Sequence, residues 1–280
     1  MTFSIVARSE DGESWGVAVA SKFLGVGSAV PAAAAGAGAI ATQALCNTRY
    51  KAAALAHLRD GATADEVLQR LVDEDDGRAQ RQVGIVDSEG RAATYTGAEC
   101  SDYAGGVTGD GYAIQGNILE SEEVVLAMQS AFVESDTTTP LAGRLMTALR
   151  AGEEAGGDAR GRQSAAILVV KNEAGYMGFD DIEVELRVED HTDPLSELDR
   201  LLELHRQVWA GSDAVPEDER TPDTPELLAE LDGRAEALGD RSLIRWMSRN
   251  NYEMYGGEDW TGTRVVEELR AATPDWKPDA

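Results

Sequence analysis

Cysteine and histidine are scarce in this chain, and their scarcity narrows the kinds of site that it can form. The 280 residues include two cysteines, Cys46 and Cys100, whose separation fits neither a disulfide framework nor a metal-binding motif. None of the three histidines has a second histidine at the spacing that metal ligation requires. We therefore expect a protein that uses neither a metal ion nor an organic cofactor.

Basic residues are also few, with 25 Lys+Arg against 51 Asp+Glu and a formal net charge of −26. Such a charge repels nucleic acids and anionic lipids, and it destabilises a compact chain through self-repulsion. High salt relieves this repulsion, because the Debye length shortens to about 3 Å at 1 M. The composition predicts a protein of a halophile's cytoplasm without a nucleic-acid partner. An unusually acidic mesophilic enzyme is the alternative.

Long apolar runs are missing as well. No stretch approaches 18 consecutive apolar residues, and no basic segment precedes an apolar run as it does in a signal peptide. The most apolar stretch, residues 29–41, is interrupted by Pro31, Gly36 and Gly38. We expect a soluble, cytoplasmic protein without membrane contact.

The chain does contain strong strand signals in its first 190 residues. Phe3 and Ile5 share one face of a first strand, and the turn Asp11-Gly12 separates it from a second strand at Trp15–Ala20. The same alternation or apolar character predicts further strands at Val26–Val30, Gly38–Thr42, Gln82–Asp87, Ala92–Thr96, Tyr112–Ile114, Ala165–Val170, Gly175–Gly178 and Glu183–Val188.

Helix signals lie in two pairs between the groups of strands. The first pair covers about Thr48–Arg59 and a stretch that begins at the capping box Thr63-x-x-Glu66. The second pair covers about Ser121–Phe132 and a stretch that begins at Thr139. This order predicts an α+β fold, a four-layer αββα sandwich of two antiparallel sheets covered by helix pairs.

The last third of the chain is helical and richer in aromatic residues. Leucines recur at helical spacing from Leu195 to Leu202, and the acidic, proline-containing stretch Gly211–Pro225 is typical of a linker. We predict a main domain over residues 1–190, a connecting helix over 191–212 and a small helical module over 213–280.

Position 2 carries the first signal for chemistry. Thr2 begins the first strand, so removal of Met1 would expose a threonine with a free α-amine. Such a residue supplies both a hydroxyl nucleophile and a base, because an α-amine titrates at about 7.7–8.0. The alternative is that a small residue simply follows an initiator methionine.

Six segments together resemble one family, the domain-of-unknown-function family 1028, which belongs to the N-terminal-nucleophile (Ntn) hydrolase-like superfamily. They are Met1–Ala7, Gly16–Lys22, Ala41–Gln43, Arg81–Asp87, Gly111–Asn117 and Arg162–Ala166. The resemblance covers roughly residues 1–190 and implies the αββα sandwich, but it implies no particular substrate. The C-terminal segment faintly resembles a peptidoglycan-binding module.

The superfamily includes proteasome β-subunits, and comparison with their pattern implies roles for five residues. Thr2 falls at the place of the nucleophile, Lys22 at the end of the second strand where those proteins have an aspartate, and Gln43 at an oxyanion-hole turn. Asn117 and Ser164 fall near serines that hydrogen-bond the terminal amine. The aspartate that partners the amine is unmatched, because Gly161 stands about there and Asp158 lies only nearby.

Two paired dipeptides are candidates for substrate binding. Arg81-Gln82 and Arg162-Gln163 each precede a predicted inner strand, where an arginine could hold a substrate carboxylate with two hydrogen bonds. A structural salt bridge is the alternative for either arginine. Gln115 is a further candidate for substrate binding, and the segment Gln115-Gly116-Asn117 falls near the same serine positions of the superfamily.

Three other arrangements are weaker. Cys46 with His57 would form a second nucleophile pair, but no third group is evident. His191 is more typical of a helix start than of a metal ligand. The acidic run Asp73–Asp76 resembles a calcium site only by charge, because it lacks spaced ligands and the loop glycine.

The sequence favours an amide hydrolase. Thr2 would attack an amide or related C–N bond of a small molecule or short peptide, and we expect the chain to form a homo-oligomer. Two other classes stay open: a non-catalytic ligand-binding protein that keeps the fold, and a structural subunit of a larger oligomer.

Overall fold

A computed structural model describes residues 2–209 and 215–277 of the chain. The chain divides into two compact units, Met1–Asp199 and Arg200–Ala280, with the division inside a long helix. The domain boundaries predicted at residues 190 and 212 stay predictions.

The first unit alternates groups of strands with groups of helices. Its strands are β1 (Thr2–Arg8), β2 (Ser14–Ser21), β3 (Pro31–Ala34), β4 (Gly38–Ala44), β5 (Arg81–Asp87), β6 (Ala92–Thr96), β7 (Gly105–Gly109), β8 (Tyr112–Asn117), β9 (Ser164–Lys171) and β10 (Ile182–Val188). Its helices are α1 (Val26–Ala29), α2 (Arg49–Arg59), α3 (Ala64–Asp73), α4 (Glu123–Glu134), α5 (Leu141–Glu154) and the first turns of α6 (Pro194–Trp209).

The strands form two antiparallel sheets. The larger sheet has the order β10-β9-β2-β1-β8-β7, and the smaller one has the order β3-β4-β5-β6. In the larger sheet Phe3 of β1 lies opposite Ala20 of β2 and opposite Gly116 of β8. The strand that begins with Thr2 is therefore an inner strand with partners on both sides.

The two faces of the smaller sheet contribute to two different hydrophobic cores. One core joins strands of both sheets and includes Val6, Val17, Val19, Ala39, Ala41 and Val86. Another joins the smaller sheet to α2 and α3 and includes Ile40, Ile85, Ala54, Leu58, Val67 and Leu71. Successive residues of β4 thus face opposite sides, as the period of a strand requires. The described chain is a mixed α/β protein with helices packed on antiparallel sheets.

The start of α3 shows how the sequence sets a helix boundary. Thr63 Oγ1 accepts a hydrogen bond from the Glu66 N–H at 3.2 Å, and the Glu66 carboxylate accepts one from the Thr63 N–H at 2.9 Å. This reciprocal pair is the predicted capping box, and it satisfies two backbone donors that a helix start otherwise leaves unpaired.

Two predicted strands are wrong. Val26–Val30 contains the short helix α1 instead, after Gly25 with a φ of 65°. Gly175–Gly178 makes a 3₁₀ turn, with Met177 at a φ of 59°. A short apolar run does not distinguish a strand from a helical turn. At both places a residue with a positive φ, Gly25 or Met177, turns the chain away from an extended conformation.

The second unit has its own small core. It contains the final turns of α6, α7 (Pro225–Ala237), α8 (Leu243–Arg249), α9 (Thr263–Ala272), and a two-stranded sheet of β11 (Arg220–Pro222) and β12 (Trp260–Gly262). Leu231, Trp246, Tyr252, Val265 and Leu269 are buried together. The predicted linker Gly211–Pro225 lies partly outside the described residues, and its described part contains β11.

None of the helices within the described ranges combines the length and the apolar character needed to cross a membrane.

The net charge of −26 leads to a prediction about stability. We expect the melting temperature of the full chain to rise between 0.1 M and 2 M KCl, because salt screens repulsion among the carboxylates. For a unit of this size each kcal/mol corresponds to about 2–4 °C. Thermal unfolding followed by circular dichroism measures the effect.

A charge-reduced variant serves as the control for this prediction. Glu74 and Asp76 are exposed, so Glu74→Gln with Asp76→Asn removes repulsion without removing a described hydrogen bond. The double variant should melt higher than the parent at low salt and respond less to added KCl. A melting temperature that stays flat or falls with salt would contradict the expectation.

Candidate functional site

Thr2 lies at the beginning of β1 with its side chain almost fully buried. It is opposite Asn117 of β8 and is 7% exposed. Its Oγ1 lies 3.1 Å from Oγ of Ser21, the last residue of β2. The candidate nucleophile therefore has a hydroxyl partner that the sequence analysis did not select.

A small pocket of about 90 Å³ opens beside Ser21, and Thr2 itself does not line it. Its wall includes Phe3 and Ser21, the chain neighbour and the hydrogen-bond partner of Thr2. Asp158 and Arg162 of the loop before β9 and Ser164, the first residue of β9, also line it. The pocket brings together residues from β1, β2 and β9 that are far apart in the sequence.

Lys22, directly after β2, is exposed and forms two hydrogen bonds to the loop before β9. Its backbone N–H donates to Asp158 Oδ2 at 2.7 Å, and its Nζ donates to the Arg162 carbonyl at 3.1 Å. The Asp158 carboxylate also accepts from the Arg160 N–H at 2.9 Å. Asp158 thus fixes the chain just after β2 and forms part of the pocket wall.

Ser164 has a similar positioning contact. Its Oγ donates to the Phe23 carbonyl at 2.5 Å and accepts from the Val26 N–H at 3.1 Å. In the register of β2 and β9 it lies opposite Ser21. The predicted residues Thr2, Ser164 and Lys22 therefore gather around one end of the larger sheet.

The predicted amide residues form a buried network between the two sheets. Gln43 Nε2 donates to Gln82 Oε1 at 2.8 Å, and Asn117 Nδ2 donates to the same oxygen at 2.9 Å. Ser4 Oγ donates to Gln43 Oε1 at 2.7 Å and accepts from Gln115 Nε2 at 2.6 Å. All five side chains are at most 2% exposed.

This network reaches the backbone on both sides. Gln82 Nε2 donates to the Gly116 carbonyl at 2.7 Å and to Thr96 Oγ1 at 2.9 Å. Gln43 Nε2 lies 3.4 Å from the Thr2 carbonyl oxygen, which links the network to the candidate nucleophile. Since a buried polar group is costly without a partner, these bonds lock the two sheets in one register.

Gly84 makes room for the network. A Cβ at this position would lie 2.0 Å from Gln115 Oε1, so no larger residue fits without moving the amide. Gln115 Oε1 is itself buried and has no hydrogen-bond partner among the described residues. The glycine in the apolar strand β5 is therefore explained by the close approach of a side chain from the other sheet.

Backbone strain occurs at the ends of two strands that carry these amides. Ala44 follows Gln43 with a φ of 64°, and Ile118 follows Asn117 with a φ of 52°. Residues other than glycine rarely adopt this region, and a β-branched residue adopts it least readily. Such conformations concentrate at functional sites, and here both lie directly after candidate site residues.

Arg81 has a structural ion pair rather than an open guanidinium. Its Nε lies 2.8 Å from Asp75 Oδ2, and Nη1 donates to the Leu45 carbonyl at 2.6 Å. Tyr50 and Asn47 also donate to Asp75. The Arg81 hydrogen bond is the main reason that the pKa of Asp75 lies well below its usual range. One residue of the acidic run is thus an anchor for two loops.

The second paired dipeptide is nearer to the pocket. Arg162 lines it and forms an ion pair with Glu153 at 3.1 Å. Burial raises the pKa of Glu153, and the Arg162 charge opposes that shift. Gln163 Nε2 donates to Asp190 Oδ1 at 3.0 Å, away from the amide network.

The weaker arrangements do not come together as sites. Cys46 Sγ donates to the Thr42 carbonyl at 3.2 Å, and burial raises the pKa of the thiol. His57 Nδ1 lies 3.4 Å from Arg70 Nη1. His191 Nδ1 accepts from the Asp193 N–H at 3.0 Å, the contact expected of a helix start. Within the described ranges, no group of three potential ligands could hold a metal ion.

The family of the chain follows from comparison with known proteins. A model described as a family of unknown function (DUF1028) matches residues 2–198, and the chain belongs to this family. The crystal structure of protein SPO2555 from Silicibacter pomeroyi, of the same family, is 35% identical with a TM-score of 0.67. That match covers 73% of this chain and 86% of the other.

A second solved structure is much less similar. Anbu, an ancestral β-subunit from Yersinia bercovieri, is 11% identical with a TM-score of 0.33, over 72% of this chain and 93% of that chain. This likeness is too slight to define the fold. No curated protein matches the chain.

Proposed function

We propose that the main unit is a four-layer αββα sandwich of the Ntn-hydrolase type, and that it hydrolyses an amide or related C–N bond. The observation that carries this proposal is the buried Thr2 hydroxyl at the start of an inner strand, 3.1 Å from Oγ of Ser21, a residue that lines a small pocket. A small molecule or short peptide is the substrate class that suits a pocket of about 90 Å³.

The proposed reaction begins after removal of Met1. Thr2 Oγ1 attacks the substrate carbonyl carbon while its proton passes to the free α-amine. The tetrahedral intermediate breaks its C–N bond, and the leaving amine takes that proton. Water then attacks the resulting ester, which releases the carboxylic acid and restores the hydroxyl.

Backbone amides near Gln43-Ala44 are the proposed oxyanion donors. The strained φ of 64° at Ala44 supports this assignment, because it turns the chain sharply at the end of β4. Ser164 and Asp158 would position the wall of the pocket, and Asn117 would position β8 opposite Thr2. Lys22, which follows β2 and is bonded to Asp158 and Arg162, would supply positive charge to the transition state.

Substrate carboxylates are assigned to Arg162 rather than to Arg81. Both arginines form an ion pair, Arg162 with Glu153 and Arg81 with Asp75, but only Arg162 lines the pocket. The proposed protein works in the cytoplasm of a halophile as a homo-oligomer, without a nucleic-acid or membrane partner. The net charge of −26 supports the halophilic cytoplasm and the absence of a nucleic-acid or membrane partner.

A non-catalytic ligand-binding protein is the second candidate, and the amide network favours it. Gln43 Nε2 is within hydrogen-bonding distance of Gln82 Oε1 and of the Thr2 and Gln115 carbonyls. An amide with that many acceptors has no proton left for a substrate. Under this reading the pocket binds the same class of small molecule without cleaving it.

Intact mass spectrometry of the native protein tests the enzyme proposal. We expect a mass that lacks Met1, because the residue after it is small and the mechanism needs the Thr2 amine. Sequencing of the N-terminal peptide serves as the control for the assignment. A catalytically active preparation that retains Met1 would overturn the N-terminal mechanism and favour the binding protein.

A further inference from the structure

A larger cavity of about 230 Å³ lies at the opposite end of β1 from Thr2. It is a half-open cleft lined by the end of β1, the turns between β5 and β6 and between β7 and β8, and the segment from the end of α4 to α5. Arg8 and Arg144 both line it, together with Tyr112 and Phe132. A single water needs only about 10–15 Å³ of such space, so the cavity has room for a small molecule.

Arg144 is a buried guanidinium that forms no ion pair with a carboxylate of the described residues. The residue is 5% exposed, and its guanidinium carbon lies 4.4 Å from the centre of the Phe132 ring. Nε donates to Ser135 Oγ at 2.8 Å and Nη2 donates to the Phe132 carbonyl at 3.2 Å. Nη1 has no hydrogen bond to any described residue. Burial lowers the pKa of Arg144, and the charges of Glu10 and Asp136 oppose that shift.

Arg8 has even fewer polar contacts. Its Nε is buried and finds no acceptor among residues 2–209 and 215–277. The guanidinium carbon lies 5.7 Å from the centre of the Trp15 ring. A Cβ at Gly12 would lie 2.1 Å from Arg8 Nη2, so this turn glycine makes room for the guanidinium.

A guanidinium is a permanent cation, and leaving one buried without a partner, as at Arg144, costs several kcal/mol. That cost is notable in a chain with 51 acidic residues, where most other buried or half-buried arginines have a carboxylate partner. Glu10 and Asp110 also line the cavity, but both are exposed residues at its rim. Neither forms an ion pair with Arg8 or Arg144 within the part of the chain described.

We propose that this cavity binds a small oxyanion, a carboxylate or a phosphate, between the guanidinium groups of Arg8 and Arg144. Guanidinium is the side-chain group whose planar donors best match either oxyanion. The rim carboxylates of Glu10 and Asp110 disfavour a large polyanion, so the ligand carries one or two negative charges. This site is independent of the proposed chemistry at Thr2.

Nuclear magnetic resonance of the arginine Nε–H groups tests the proposal on the full chain. Sodium phosphate and sodium malonate are titrated separately, with sodium chloride at equal ionic strength as the reference. We expect the Nε–H signals of Arg8 and Arg144 to shift and saturate with phosphate, malonate or both. The anion with the lower dissociation constant identifies the type of oxyanion.

Variants assign the signals and measure each contact. Arg8→Gln should weaken binding by about 10- to 100-fold, the loss expected for hydrogen bonds to a charged group. Arg187→Gln is the matched control, because Arg187 pairs with Glu185 on an exposed surface, and it should bind as the parent does. Arg8→Lys retains the charge and should show an intermediate loss.

Two results would overturn the proposal. One is the absence of a saturable shift at Arg8 and Arg144 with both anions. The other is an unchanged dissociation constant in a folded Arg8→Gln variant. Arg144→Gln is a further test if it folds, but the outcome does not depend on it, since the Arg8 variants and the parent signals decide the question.

Discussion

Replacement of Thr2 by alanine is expected to abolish formation of a hydroxylamine-sensitive ester on residue 2 while leaving the fold of the chain intact. Alanine removes the Oγ that we propose as nucleophile, but it keeps a small residue after Met1 and therefore keeps the conditions for methionine removal. Loss of a nucleophile typically costs on the order of 10³- to 10⁶-fold in rate. Alanine keeps the Cβ of Thr2 and fits the same buried space, so the fold should be retained.

The measurement does not require the natural substrate. A β-lactone or an activated ester can acylate an N-terminal threonine, and intact mass spectrometry records the added acyl group. Peptide mapping then shows whether the adduct lies on residue 2. An amide-substrate panel on the same proteins extends the comparison to turnover once an activity has been found.

Two further variants serve as controls for this experiment. Cys46→Ala should be acylated as fast as the parent, because the Cys46 thiol donates to the Thr42 carbonyl and its raised pKa makes it a poor nucleophile. Lys22→Ala should slow acylation by the equivalent of about 2–4 kcal/mol if its charge stabilises the transition state. Full formation of a hydroxylamine-sensitive ester in Thr2→Ala, or loss of it in folded Cys46→Ala, would contradict the proposed site.

The strands around the site could be predicted because their apolar residues alternate. Val17 and Val19 recur with period two in β2, and that pattern places them on one face. The strand β7 was missed because Gly105–Gly109 contains one apolar side chain. The helix α1 was missed because its four residues are too short for helical periodicity to appear.

The partners of the site residues were much harder to predict than the residues themselves. Lys22 and Asp158 are bonded across 136 positions of sequence, and no local pattern encodes such a pair. Asp75 looked like part of a solvated acidic run, yet it anchors Arg81. Ser21 offered one signal, a hydroxyl at the end of an otherwise apolar strand, and it proved to be the partner of Thr2.

The amide network leads to the largest expected effect on stability, which is the replacement of Gln82 by methionine. Methionine has a similar volume, so the packing is kept while the hydrogen bonds are lost. Asn117 Nδ2 would lose its acceptor, and Gln43 Nε2 would keep only its longer contacts to the Thr2 and Gln115 carbonyls. The Gly116 carbonyl and Thr96 Oγ1 would lose the donor that Gln82 Nε2 supplies. A buried donor without a partner costs about 1–3 kcal/mol, so we expect a loss of roughly 3–5 kcal/mol in the free energy of unfolding.

Urea denaturation of the full chain measures this loss, and Gln163→Met is the matched control. Gln163 is half-buried and bonds to Asp190 outside the network, so its replacement should cost less than about 0.5 kcal/mol. The double variant Gln82→Met with Asn117→Ala should lose less stability than the sum of the two single losses, because both substitutions remove the same hydrogen bond. A cost below about 1 kcal/mol for Gln82→Met would mean that the network does not hold the sheets together. In that case Gln43 and Asn117 would be free to turn their amides toward a ligand beside Thr2.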